Sequence, residues 1–214
     1  MTTKTLAILL IGLGIAGGAE WVYHASSSAS TAIAKPYCAL GNGAAEETAS
    51  LIGKSGHVVI VMPEKNTANP IFTEELDCFR KALKATGISI NREVKFKLTQ
   101  LQVVEAGGLL PRDELFGVLQ GQSKPDAVVL FCGFPRLSPE DCEAVKQSGT
   151  KVIVVSAVES SFSQLLRDHV IQLAIVPRPD QPSPGETKKQ STRQIFESQY
   201  AVLTPDNFEI AHNQ

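Results

Sequence analysis

The sequence predicts an α/β domain, a three-layer sandwich around a mostly parallel sheet of about five to six strands, preceded by an N-terminal transmembrane helix. Three observations carry this expectation. From His57 onward, short apolar runs rich in Val and Ile alternate with amphipathic stretches of helical spacing. Several of the runs are continuously apolar, as in strands covered on both faces. Near the N-terminus, Glu20 is the only charged residue between Thr5 and Ala25, and about 20 such residues suffice to cross a hydrocarbon core.

The elements follow in order. "HVVIVM" (His57–Met62) reads as the first strand. A helix is expected over Phe72–Gly87, where Phe72, Leu76, Phe79 and Leu83 share one face and Gly87 ends it. "VKFKLTQLQV" (Val94–Val103) alternates like a strand and Arg112–Gly121 is a short helix. "DAVVLF" (Asp126–Phe131) is the third strand. Ser138-Pro139-Glu140-Asp141 opens a helix with a capping serine and a proline in the first turn. "KVIVVSA" (Lys151–Ala157) and "VIQLAIV" (Val170–Val176) are further strands, separated by a helix over Phe162–Asp168. A Pro-rich loop leads to a helix near Thr192–Ser198 and a last strand, "YAVLT" (Tyr200–Thr204). Strands joined by helices of this length imply right-handed crossovers and a Rossmann-like or flavodoxin-like lobe.

Three regions are therefore expected: a membrane anchor over 1–25, an Ala/Ser/Gly-rich tether over 26–56 with one short helix around Ala44–Ile52, and the α/β domain over 57–214. Trp21 and Tyr23 follow the apolar core Leu6–Ala19, and Lys4 precedes it. This order puts the N-terminus in the cytoplasm and the domain in the periplasm or another extracytoplasmic space. A signal peptide cleaved after Ser28 or Ala29, or after the tripeptide Ala32-x-Ala34, releasing a secreted domain, is the alternative. No lipobox precedes Cys38.

Two glycine motifs mislead. Gly12-x-Gly14-x-x-Gly17 has dinucleotide-loop spacing, yet a Ser/Ala-rich stretch follows it in place of a second strand ending in an acid. Within a membrane helix, Gly14 and Gly18 instead form a small-residue face where a partner helix can pack. Gly53-Lys54-Ser55 has the end of a P-loop but lacks its first glycine, Thr48 standing there, and it precedes a strand.

Composition narrows function. Twenty Lys+Arg against 22 Asp+Glu and 6% aromatics leave neither a basic surface nor a stacking platform for nucleic acid. His24, His57, His169 and His212 are isolated from one another and from the cysteines, so no metal or cofactor is expected. Cys38, Cys78, Cys132 and Cys142 allow three pairings of two disulfides, and sequence does not choose. Cys78 and Cys142 read as small apolar filler on helices. No G-x-S-x-G elbow occurs, and Ser156, Ser160 and Ser161 have no paired histidine, so no enzyme is expected. In such a sheet ligands sit beyond the carboxyl ends of the strands, which points to Pro63–Pro70, Gly133–Arg136 and Ala157–Ser161. Within that rim, Asn69 is equally placed to cap a helix, and Arg136 to hold an anion.

Two stretches resemble a known family. "MPEKNTANPIFTEELDCFRKALKATGISI" (Met62–Ile90) looks like the first strand–helix unit of type I periplasmic binding proteins, which include ribose-binding proteins and LacI-type sensor domains. Asn69-Pro70-Ile71-Phe72 stands where that family carries Asn-Pro and two aromatics. "KPDAVVLFCGFPRLSPEDCEAVKQSGTKVIVVSA" (Lys124–Ala157) is similar to its third strand, helix and fourth strand. The resemblance implies a single lobe, since the chain after Ala157 holds only one or two more strands. It also implies sugar contacts at Asn69 and Phe72, with Ile71 removing one stacking ring. Cys132-Gly133-Phe134 stands where the family's polar contact after the third strand is expected.

The reading that follows is a non-catalytic, membrane-anchored extracytoplasmic domain, an accessory or docking subunit of a membrane protein complex. It would meet membrane subunits through its N-terminal helix. The first alternative is a small-molecule, sugar-like binding protein whose opposing wall comes from a partner or a homodimer, with Asn69, Phe72 and Arg136 at the ligand. The second is a flavodoxin-like enzyme, for which Glu64 is the sole candidate acid.

Overall fold

The sheet is organised around β1 (His57–Pro63), whose residues after His57 are all buried. A computed structural model describes residues 34–97, 110–121, 123–155, 162–179 and 190–208. A helix over 34–52 (α1) precedes β1. A 3-10 turn (Glu64–Ala68) then leads to α2 (Pro70–Thr86) and β2 (Ser89–Phe96). The remaining elements are α3 (Arg112–Leu119), β3 (Ala127–Leu130), α4 (Pro139–Ser148), β4 (Lys151–Val155), α5 (Ser163–Arg167), β5 (Leu173–Pro177), α6 (Thr192–Gln199) and β6 (Tyr200–Leu203). The sheet order is β2-β1-β3-β4-β5-β6. All pairings are parallel except the last, where β6 runs antiparallel to β5 with Tyr200 opposite Pro177.

Alternation along the buried strands divides the core in two. Val58, Ile60 and Met62 pack with α1, α2 and α6 through Leu40, Phe79, Leu83 and Phe196. Val59 and Val61 face the other way, among Leu115, Val145 and Leu166 of α3, α4 and α5. The expected mostly parallel α/β sandwich is therefore present. Gly87 (φ +85°) and Gly149 (φ +66°) close α2 and α4, and Ser138 accepts from the Asp141 N–H as the α4 cap.

Residues 34–52 depart from the expected tether. They form α1, which is more than the short helix around Ala44–Ile52 and is docked on the sheet. Ala39, Gly41, Gly43, Ala44 and Ala45 are all buried, and Thr48, fully buried, bonds its hydroxyl to the Ala44 carbonyl. Their composition reflects close approach rather than flexibility: a Cβ on Gly41 would lie 2.1 Å from the Glu75 carbonyl oxygen of α2. Gly53-Lys54-Ser55 is the end of this helix, with Gly53 at φ +83° and its N–H bonded to Ala49.

Cys78 is likewise no mere filler: it pairs with Cys38 in a disulfide that joins α1 to α2. Cys132 and Cys142 are free. The second strand also begins earlier than expected, at Ser89 rather than Val94. As an edge strand it is largely open, so Ser89–Arg92 show no apolar run. Arg80 of α2 braces it through two bonds to Glu93, at 2.7 and 2.8 Å. Among the described residues no helix is long and apolar enough to cross a membrane. The predicted span over 1–25, with Gly14 and Gly18, lies outside them.

The expected strand over Val170–Val176 begins later, at Leu173 (β5), so His169 lies in the connection before it. It sits after α5 at φ +54°, the one non-glycine residue with positive φ among those described. A left-handed conformation costs an L-residue about 1 kcal/mol. His169→Gly is therefore expected to stabilise the fold by up to about 1 kcal/mol, read as a higher urea midpoint at unchanged slope. An unchanged or lower midpoint would refute it.

Candidate functional site

The parallel strands direct their carboxyl ends to one rim, and two described connections build it. After β1, Pro63 enters the 3-10 turn, held by the Thr67 hydroxyl on the Glu64 carbonyl at 2.7 Å. After β3, residues 131–138 lead to α4. That helix is fixed from α3 by Arg112, which donates to both Asp141 oxygens at 2.8 and 2.5 Å and holds that carboxyl below the usual carboxylate range.

A cleft of about 360 Å³ opens where β1 and β2 end, lined by Pro63, Glu64, Lys65, Phe96 and Lys97. Phe96 is buried and forms apolar wall with Pro63. Lys97 and Glu64 pair at 3.3 Å, both well exposed. Glu64 is thus tied to a lysine. An apolar wall with a few polar groups at the mouth has the make-up of a small-molecule site.

The predicted residues are distributed unevenly. Asn69 caps α2, its Oδ1 accepting from the Ile71 N–H at 3.0 Å, and it is exposed at the rim. Phe72 is half-buried, and its ring meets Phe131 edge to face at 6.3 Å between centroids. Phe131 meets Phe79 the same way at 5.0 Å, so Phe72 tops an aromatic stack rooted in the core. That contact brings Phe72 to the end of β3. Arg136 is exposed on the loop that follows. The segment Ala157–Ser161 lies outside the described residues.

After β3 the rim is chemically mild. Burial pushes the Cys132 thiol up to about 12, so it is neutral and no nucleophile near neutral pH. Phe134 is buried, and the Gly133 carbonyl accepts from the Leu110 N–H at 3.4 Å. Cys38, Cys78 and Glu74 group their ligand atoms within 4.8 Å, but the two sulfurs are bonded to each other. Sequence reading missed Phe96 and Lys97 because it set β2 five residues too late, making Phe96 a strand interior when it is the strand's end. The signal available was Gly87, which stops α2 and leaves the next strand to begin directly after it.

No protein-family model matches the sequence, and no curated protein matches it. Solved structures do match in fold. A solute-binding protein of an ABC transporter from Agrobacterium vitis, with bound allitol, superposes with a TM-score of 0.55 at 14% identity, over 83% of this chain and 64% of that one. AraP, an arabinose-binding protein from Geobacillus stearothermophilus, gives 0.53 at 14% identity, over 81% and 62%. A putative LacI transcriptional regulator from Bacteroides fragilis gives 0.53 at 14%, over 81% and 61%. This chain thus spans about three-fifths of the length of the structures it matches. With its parallel β2-β1-β3-β4-β5 core and the rim described above, the domain has a fold like that of the type I periplasmic binding proteins.

Proposed function

We propose that this chain is a small-molecule-binding lobe for sugars or related polyols, whose opposite wall is supplied by a partner protein or a second copy. The cleft at the ends of β1 and β2 carries this reading: it is open, part apolar, and sits on the rim where this architecture holds ligands. The matched structures include a protein named for arabinose binding and a solute-binding protein with bound allitol. This chain spans about three-fifths of the length of those structures. Asn69 and Phe72 serve here as supports: one fixes the start of α2 and the other closes the aromatic stack beneath the rim. Lys65 and Lys97 are then the groups at the mouth that offer hydrogen bonds to hydroxyls.

The disulfide supports an extracytoplasmic location, because such bonds persist in oxidising compartments. Together with the apolar stretch over 1–25, it supports reading the chain as an anchored domain displayed outside the cytoplasmic membrane. An accessory role in a membrane complex is a second reading. It is favoured by the occupied side chains of Asn69 and Phe72, which leave a sugar fewer contacts on this lobe.

The test is thermal unfolding of the full chain across arabinose, xylose and allitol. At a hundredfold excess over Kd a ligand adds about 2.7 kcal/mol, a Tm rise of about 5–10 °C for a chain of this size. Lys97→Ala is expected to cut that rise sharply while leaving the free protein's Tm nearly unchanged, because an exposed ion pair contributes about 0–1 kcal/mol. Absence of any shift at millimolar polyol, alone and with co-purified membrane partners, would overturn the binding reading in favour of the accessory one.

A further inference from the structure

The direction of α1 fixes where the chain leaves the domain. Its last residues, Leu51 and Ile52, lie beside Lys124, Asp126, Gly149 and Lys151 at the amino ends of the strands, and a short turn then enters β1. Its first turns lie at the opposite end. Cys38 is bonded to Cys78 of α2, and Gly41 abuts Glu75 and Phe79. Tyr37 and Glu75 both act electrostatically on Tyr200, which pairs with Pro177 at the carboxyl end of β5. The polypeptide before residue 34 therefore departs from the carboxyl rim, the rim that bears the cleft.

We infer that the carboxyl rim faces the lipid headgroup surface of the membrane holding the N-terminal segment, within about 30 Å of it. The inference rests on the anchored reading of residues 1–25. Between that segment and α1 lie residues 26–33, which reach at most about 28 Å even fully extended, at about 3.5 Å each. The helix over 34–52 is itself about 28 Å long. Turning the amino rim to the bilayer would consume the whole tether alongside the domain, leaving no chain to span the headgroup layer.

Charge does not choose between the two ends, because Lys65, Lys97 and Arg136 at one are matched by Lys54, Lys124 and Lys151 at the other. Tether length decides, and the Cys38–Cys78 bond keeps it short by preventing the first turns of α1 from peeling off α2. A ligand for the cleft would then enter from, or be handed to, the membrane side.

The test uses the full chain in phosphatidylcholine–phosphatidylglycerol vesicles carrying an acceptor dye on the lipid headgroup. A donor dye is placed at Lys65→Cys or at Lys124→Cys, each with Cys132→Ser and Cys142→Ser. Energy transfer is expected to be at least threefold greater from position 65 than from position 124. Equal transfer, or more from position 124, in vesicle-bound protein overturns the orientation and leaves the anchor standing. Failure of the chain to float with the vesicles overturns both. Cys38→Ser with Cys78→Ser, floating equally well, is expected to narrow the difference between the two positions; an undiminished difference would remove the disulfide from the account.

Discussion

Replacing Gly41 by alanine is expected to destabilise the domain by about 3 kcal/mol, lowering Tm by roughly 6–12 °C. The expectation runs against helix propensity, which favours alanine over glycine by about 1 kcal/mol inside a helix. Contact decides the sign. The new Cβ would lie 2.1 Å from the Glu75 carbonyl oxygen and 2.9 Å from the Phe79 nitrogen. Both are backbone atoms of α2, so no rotamer change relieves the clash, and the disulfide one turn away limits how far α1 can withdraw. Gly117→Ala in α3 is the matched control, because its Cβ meets nothing within 4 Å. There propensity acts alone, and a gain of up to about 1 kcal/mol is expected. Equal Tm for Gly41→Ala and wild type would mean that α1 does not lie against α2 in solution. The orientation argued for the rim would fall with it.

The same helix shows where the sequence is legible and where it is not. The buried strands β1, β3, β4 and β5 are recognisable by their Val and Ile content, and α2 and α4 by their caps. Ser138 and Gly87 mark ends that the structure places within a residue or two. A buried helix that touches its neighbour backbone to backbone must use Gly and Ala at the contact. Ala39, Gly41 and Gly43 therefore read as linker composition, although all are buried. The unread first turns of α1 also hid the disulfide, because choosing Cys38 as partner for Cys78 requires knowing that residue 38 lies over α2. At the site, Asn69 and Phe72 lie on the connection that follows β1. Their side chains, however, are held by the Ile71 N–H and the Phe131 ring, contacts that depend on how the turn folds back. Phe96 and Lys97 escaped notice because an edge strand with one solvated side gives a weak pattern at its start, and the register error moved both residues away from the rim.

Glu75 should make stability fall with rising pH, and Glu75→Gln should remove that dependence. The residue is buried on α2 beneath α1, and desolvation raises its carboxyl from the ordinary 4.5 to about 8. Tyr200 at the start of β6 feels the Glu75 charge and brings no positive charge to it. Below the unfolded pKa the carboxyl is neutral in both states and costs nothing on this account. As pH rises past about 4.5 the unfolded chain ionises while the folded one stays protonated, so stability declines by about 1.4 kcal/mol per pH unit. The decline ends near pH 8, where the folded state ionises as well. At pH 7 the penalty is therefore about 3 kcal/mol, and at pH 4 it is close to zero. Urea denaturation of wild type and Glu75→Gln between pH 4 and 8 separates this effect from the packing cost of an amide. Packing would offset the two curves by a constant, whereas ionisation makes the variant progressively more stable than wild type across the window. Parallel curves would show that the carboxyl reaches solvent or a cation. A widening gap would mean that the contact fixing α1 over the rim works against a carboxyl kept neutral, so that the helix is held least firmly at the alkaline end of the range.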